Sequence, residues 1–337
     1  ALVRDLVAVN RRGIRTVLVS SGAIARGMET LRLRSRPTTI PLQQACASIG
    51  QIKLMHSYSA LFSRFGVDTG QVLLTWDDLR DKRRYLNLRN TLFRLLDCGA
   101  VPIVNENDSV GVEEINFGDN DTLGAQIALL TGAELYVMLT DVDGLYDADP
   151  ASKGAQHIPL VPRVSRTLHS LAADSKGGIG VGGMITKLKA AETVTKAGSA
   201  AIIGNGYQRR LLDVVRSPEA GTLFLPSPKK MSSKRRWLAF TRHAGGKVVI
   251  DQGARRAVAK NNKSLLPAGV KRICGSFKAG DLVDIQTEEG EMIARGLTNY
   301  SSEDSEKIRG RRSSEIAKEL GHKPFDEIIH RDNLVLL

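Results

Sequence analysis

Apolar residues fall in two alternating rhythms along the first two thirds of the chain. Leu2, Val3, Leu6, Val7 and Val9 recur at helical spacing, with Gly13 following as a stop. Residues 15–20 read as a buried strand, and Ser20, Ser21, Gly22 and Ala23 turn the chain into another helix. A long helical pattern covers 43–65 and stops at Gly66; 71–74 is a strand and 85–96 a helix stopped by Gly99. Strands follow at 101–104, 135–139 and 200–203, with helices beginning near Asp121 and covering 187–197. Strands alternating with helices of crossover length predict an α/β fold: a mostly parallel sheet sandwiched by helices.

The rhythm changes after Leu225. Residues 225–236 (LPSPKKMSSKRR) are rich in Pro, Ser and cations and read as an exposed linker. Beyond it the strands are shorter, at 247–250, 271–273, 281–285, 292–296 and 334–337, with Gly turns and one charged helix over 303–320. That pattern predicts a small β-barrel-like module. The expected division is a first domain over 1–225, a linker over 226–236 and a second domain over 237–337, which suits a length of 337 residues.

Composition narrows the classes. A hydrophobic content of 42% supports sizeable cores, and no run of eighteen apolar residues suggests a membrane span. No signal peptide is legible, so a cytoplasmic setting is expected. Cys46, Cys98 and Cys274 have neither disulfide-framework nor CxxC spacing and read as reduced thiols. The six histidines are scattered, which argues against zinc. The net charge of +12 is uneven: residues 226–337 carry 22 Lys+Arg against 14 Asp+Glu, leaving 26 against 22 for 1–225. The excess in the smaller part leaves RNA open as a partner, although basic surfaces also occur without one.

Chemistry concentrates where probable strands end, which is where open α/β sheets bind ligands. The small residues Ser20 to Ala23 let backbone N–H groups approach an anion at a helix N-terminus, or simply cap that helix. The strand at 101–104 runs into Asn105, Glu106, Asn107 and Asp108, followed by Gly118, Asp119, Asn120 and Asp121. Amides and backbone N–H groups there suit a substrate's carboxylates, and Asp108 suits an α-ammonium; capping explains one of these residues but not all. The third strand ends in Thr140 and Asp141, with Asp143 close behind. Carboxylates beside phosphates imply Mg²⁺, since the two would otherwise repel. Residues 176–187 (KGGIGVGGMITK) place five glycines in seven residues before a helix and then a lysine, a phosphate-handling pattern distinct from GxxxxGK[ST]. No Ser/His/Asp or Cys/His set competes. Phosphoryl transfer to a carboxylate needs none, because that nucleophile is already ionised at pH 7.

Segments 19–25 (VSSGAIA), 105–110 (NENDSV), 118–121 (GDND), 139–146 (LTDVDGLY) and 182–187 (GGMITK) together resemble the glutamate 5-kinase group of the amino-acid kinase family. The resemblance implies ATP-dependent phosphorylation of the side-chain carboxylate of L-glutamate, the first step of proline biosynthesis. It implies that Ser21, Asp108 and Asn120 bind glutamate. It implies that Thr140, Asp141, Val181, Gly182, Gly183, Met184, Ile185, Thr186 and Lys187 bind ATP with Mg²⁺. Lys187 would stabilise the transferring phosphoryl group and Asp121 would orient the catalytic cations; no residue is assigned as a metal ligand. Feedback inhibition by proline, a homo-oligomer and transfer of product to the next pathway enzyme are further implications.

Segments 248–254 (VVIDQGA), 264–270 (SLLPAGV), 280–283 (GDLV) and 294–296 (ARG) resemble a PUA domain. PUA domains elsewhere often bind RNA, which leaves an RNA-binding protein with an inactive kinase domain as the alternative reading. Two departures stand out. The family's opening strand, with its Lys-x-Gly-[Ser/Thr] phosphate loop, would precede Ala1, so the chain reads as lacking it. Val181 stands where the family usually has Thr.

Overall fold

The two rhythms become two compact units, Ala1–Lys230 and Met231–Leu337, in a computed structural model of the chain. It describes residues 1–111, 120–150, 152–165, 167–170, 183–228, 231–240, 244–261 and 263–337.

In the first unit α1 (Leu2–Asn10) leads to β1 (Leu18–Val19), α2 (Ala23–Thr30), α3 (Ile40–Ser63) and β2 (Thr69–Leu74). Then come α4 (Trp76–Arg80), α5 (Lys82–Asp97), β3 (Val101–Glu106), α6 (Asn120–Thr131), β4 (Leu135–Thr140), β5 (Leu145–Tyr146), β6 (His157–Ile158) and β7 (Leu160–Val161). α7 (Met184–Lys196), β8 (Ala200–Asn205), α8 (Leu211–Arg216) and β9 (Gly221–Phe224) complete it. Helix α4, absent from the sequence reading, is built by a capping box between Thr75 and Asp78 and by burial of Trp76 and Leu79.

The strands pair in two larger groups, mostly parallel as expected. β1-β3-β2 is wholly parallel; in β4-β8-β9-β7 only the β8–β9 pairing is antiparallel. All six residues of β3 are buried, as befits a central strand. β1 is shorter than the predicted 15–20 because it pairs on one side only, Leu18 with Ile103 and Val19 with Val104. One core gathers Val3, Leu6, Val7, Phe62, Val101 and Ile103; the other includes Met138, Leu188, Val194, Ile203 and Phe224.

The second unit runs α9 (Ser233–Phe240), β10 (Gly246–Ile250), α10 (Gln252–Ala259), β11 (Val270–Gly275), β12 (Leu282–Thr287), β13 (Met292–Leu297), α11 (Ser302–Ile308), α12 (Ile316–Leu320) and β14 (Leu334–Leu336). Its sheet has the order β11-β10-β12-β13-β14 around Val248, Ile250, Val283, Ile285 and Ile329. Two expectations are corrected here. The stretch 226–236 is not all linker, because α9 begins at Ser233; Leu238 and Ala239 bury against Leu282, Leu297 and Val335. The helix expected over 303–320 is two helices. Gly310 interrupts it at φ 72°, its N–H donating to Pro267 O at 2.9 Å. Among the described residues no helix is long and apolar enough to cross a membrane.

Helices α2 and α3 cross at backbone contact. A Cβ at Gly50 would lie 1.8 Å from the Ala23 oxygen, and one at Gly27 1.8 Å from the Cys46 oxygen. Gly50→Ala should therefore destabilise the unit by about 3 kcal/mol or more, since both clashes are with main chain that cannot rotate away. Urea unfolding would measure it; an unchanged midpoint would contradict the crossing.

Asp5 of α1 is fully buried against Arg210, the residue that opens α8. Burial pushes its carboxyl up, but the bonds from Arg210 and from the Leu212 N–H, with the Arg210 charge, hold it below its ordinary value of 3.8. The unfolded chain thus binds the proton more tightly, so this stabilisation is complete well above pH 3.8 and fades as pH falls through the lowered value. Asp5→Asn should lower the melting temperature at pH 7, and the gap from the parent should narrow below about pH 4. A gap that widens on acidification would reverse the assignment.

Candidate active site

The carboxyl ends of β1, β2 and β3 form one half of the candidate site. Ser20 is buried; its N–H donates to Val104 O at 2.9 Å, and its Oγ lies 3.0 Å from the Tyr58 hydroxyl. This fixes the turn that leaves Ser21 exposed and puts Gly22 at φ 98°, a left-handed conformation suited to glycine. Asn105, 3% exposed, donates through Nδ2 to Gln51 Oε1 at 2.9 Å, and the Asn107 N–H donates to Leu74 O at 2.7 Å. Asn105 is thus spent on bracing α3 against β3. Asp108, two residues beyond β3, is half-buried.

The other half lies at the ends of β4 and β8 and the start of α7. The Thr140 hydroxyl donates to Asp141 Oδ1 at 2.9 Å. Gly183 precedes α7, whose first turn carries Met184, Ile185, Thr186 and Lys187 and presents the positive end of the helix dipole. Val181 and Gly182 lie outside the described residues, as do Gly118, Asp119 and the glycines of 176–180.

Helix α6 begins between the halves, and its first two residues reach opposite ways. Asn120 Nδ2 donates to Ser20 O at 3.1 Å. Asp121 Oδ2 accepts from Lys187 Nζ and from the Thr186 hydroxyl, both at 2.9 Å. The Lys187 and Asp121 side chains are 13% and 17% exposed, so the ion pair is only partly screened by solvent. The Tyr136 hydroxyl donates to Asp121 O at 3.0 Å and so fixes the backbone beneath that carboxylate. The structure brings Asn120, Asp121, Thr186 and Lys187 into one bridge, with Ser20 and Ser21 at one end. Thr140 ends β4 in the second sheet and Asp141 follows it.

Sequence reasoning missed Gln51, Tyr58, Tyr136 and Asn205. Asn205 was within reach: like Asn105 it is a polar residue closing a buried strand. The other three sit inside helices or strands, where only the fold reveals their partners.

Among the described residues no group of three or more His, Cys, Asp or Glu could hold a metal ion. The exposed Asp141 carboxylate suits Mg²⁺ that keeps phosphate and water ligands, because that ion commonly takes only one or two protein carboxylates.

Residues 1–205 match the amino acid kinase family and residues 246–320 the PUA domain. A glutamate 5-kinase of Syntrophotalea carbinolica is 46% identical over the whole of this chain and 91% of its own length. One from Carboxydothermus hydrogenoformans is 46% identical over 99% of this chain and 90% of its own, and one from Thermoanaerobacter sp. 47% over 100% and 91%. The chain belongs to the amino acid kinase family, and within it to the glutamate 5-kinases.

Proposed function

We propose that the protein transfers the γ-phosphoryl group of ATP to the side-chain carboxylate of L-glutamate, giving L-glutamyl 5-phosphate for proline synthesis. The observation that carries the mechanism is the bridge of Asn120, Asp121, Thr186 and Lys187. It sets a cation between an amide-rich end and a phosphate-handling end. Glutamate lies against Ser21, Asp108 and Asn120. The Asn120 amide donates to Ser20 O, which leaves its carbonyl oxygen to accept from the α-ammonium. ATP lies along Thr140, Asp141 and the segment 181–187, its phosphates toward the start of α7.

A glutamate carboxylate oxygen attacks the γ-phosphorus, the new O–P bond forms, and the bond to the β–γ bridging oxygen breaks to release ADP. No base is required, because a carboxylate of pKa about 4.3 is already ionised at pH 7. Lys187 meets the charge on the transferring group, and Asp121 with Thr186 aims it. Mg²⁺, when bound, neutralises charge on the phosphate oxygens. The product is a labile acyl phosphate, which gives direct passage to the next pathway enzyme a chemical reason. Proline feedback, a homo-oligomer and a cytoplasmic setting belong to the same reading. The alternative, an RNA-binding protein with an inactive kinase domain, is not favoured, since glutamate 5-kinases match the chain over its whole length.

Incubating the full-length protein with Mg-ATP, L-glutamate and hydroxylamine should yield the hydroxamate. Aspartate should react poorly, being one methylene short of the phosphorus. Equal rates on the two, or no hydroxamate from glutamate, would overturn the assignment.

Lys187→Ala should lower kcat by roughly 10²–10³-fold, the cost of one preorganised donor in the transition state. Its melting temperature should fall somewhat, because Asp121 loses its cation at 17% exposure, so turnover is compared well below it. Undiminished turnover in a folded variant would remove Lys187 from the chemistry.

A further inference from the structure

One buried amide ties the turn after β8 to the acidic turn after β4. Asn205 ends β8 in register with Thr140, the last residue of β4, and is 2% exposed. Its Nδ2 donates to the main-chain oxygen of Asp141 at 3.0 Å. Its Oδ1 accepts from the N–H groups of Tyr207 and Gln208, each at 2.9 Å. Two lesser ties run the same way: the Gly206 N–H donates to Thr140 O at 2.8 Å, and Arg209 Nε lies 3.7 Å from Asp143 Oδ1. The far end of the acidic turn is held as well. The fully buried Thr222 hydroxyl accepts from the Leu145 N–H and donates to Ile158 O, each at 2.7 Å.

A strand end packed in a core gains nothing from an asparagine, and a buried amide is costly unless its groups are bonded. Both ends of this amide are bonded, and they join two loops of different strands. A carboxylate here would keep the two acceptor bonds but turn a charged oxygen toward the Asp141 carbonyl.

We propose that Asn205 is a positioning residue for the nucleotide. Through its bond to Asp141 O it holds Thr140 and Asp141 in place before ATP arrives, and it touches neither substrate itself. This rests on the reading of Thr140 and Asp141 as nucleotide contacts. The consequence is selective: loss of the bond weakens ATP binding and leaves the glutamate end, on the other sheet, unaffected.

The test uses the full-length protein with Asn205→Ala and Asn205→Asp. Mg-ATP binding is measured by titration calorimetry without glutamate, beside KM for each substrate and thermal melting. Both variants should bind Mg-ATP roughly tenfold more weakly, the scale of one net hydrogen bond, with KM for ATP rising in step. KM for glutamate should stay within about twofold, since the sites lie on separate sheets. Asn205→Asp should melt below the parent, because it keeps the Tyr207 and Gln208 bonds but buries a charged oxygen against the Asp141 carbonyl, so binding is compared well below its melting temperature. Parental ATP binding by Asn205→Asp would overturn the proposal, reducing Asn205 to a lock on its own turn. So would a glutamate KM that rises as far as that for ATP. A parent that binds Mg-ATP but forms no glutamyl hydroxamate would defeat the acceptor assignment alone, and the calorimetry would still decide Asn205.

Discussion

The first turn of α6 is the constraint on which the site depends. The β1-β3-β2 and β4-β8-β9-β7 sheets share no strand pairing among the described residues, so backbone hydrogen bonds do not fix one against the other. Two consecutive side chains do part of that work. Asn120 takes hold of Ser20 on the first sheet, and Asp121 takes hold of Lys187 and Thr186 at the helix feeding the second. Neighbouring residues on a helix point about 100° apart, so one turn can address both sides only where the helix starts between them. The apolar remainder of α6, including Leu123, Ala125, Ile127 and Leu130, is buried and keeps that start in place.

The same turn settles an electrostatic conflict. A site for ATP and a dicarboxylate wants cations, yet a buried lysine without a partner is expensive. Asp121 supplies the partner, and the Thr186 hydroxyl bonded to the same oxygen limits how that carboxylate can rotate. Two fixed partners thus hold the lysine in one direction, the placement and charge that the proposed phosphoryl transfer would ask of it.

Much of this was legible because polar residues at the ends of buried strands have no reason to be there unless something binds or braces them. Asn105 to Asp108, Thr140 and Asp141 announced themselves that way. The signal does not separate binding from bracing: Asn105 proves to be bonded to Gln51, fifty-four positions away. Asn205 carried the same signal but closes a strand with no acidic or glycine-rich run behind it. Pairing between distant segments was illegible for a simpler reason. Periodicity reports which face of a strand is buried, not which neighbour covers its edge, so it left open how the mostly parallel strands group. Residues 303–320 misled because the apolar spacing continues across Gly310, and only the left-handed backbone there shows that the chain turns.

Charge in the C-terminal unit needs similar care. Residues 226–337 hold eight more cations than acids, the difference between 22 and 14, but several of the cations are placed within reach of carboxylates. Arg255 meets Glu291 at 2.6 Å, Arg309 meets Glu306 at 2.7 Å and Arg311 meets Glu319 at 3.6 Å. Arg295 is nearly buried against Asp284 at 2.7 Å and also donates to Ala239 O, so it serves the packing of α9 on the sheet. Exposed pairs of this kind add little stability, but each sets a negative charge beside a positive one and flattens the local potential. Tracking a phosphate backbone calls for clustered cations whose counterions are released together. Pairing cancels charge one for one, so even fourteen pairs would leave eight cations over; that excess raises solubility and weak anion affinity, and basicity alone does not define such a track.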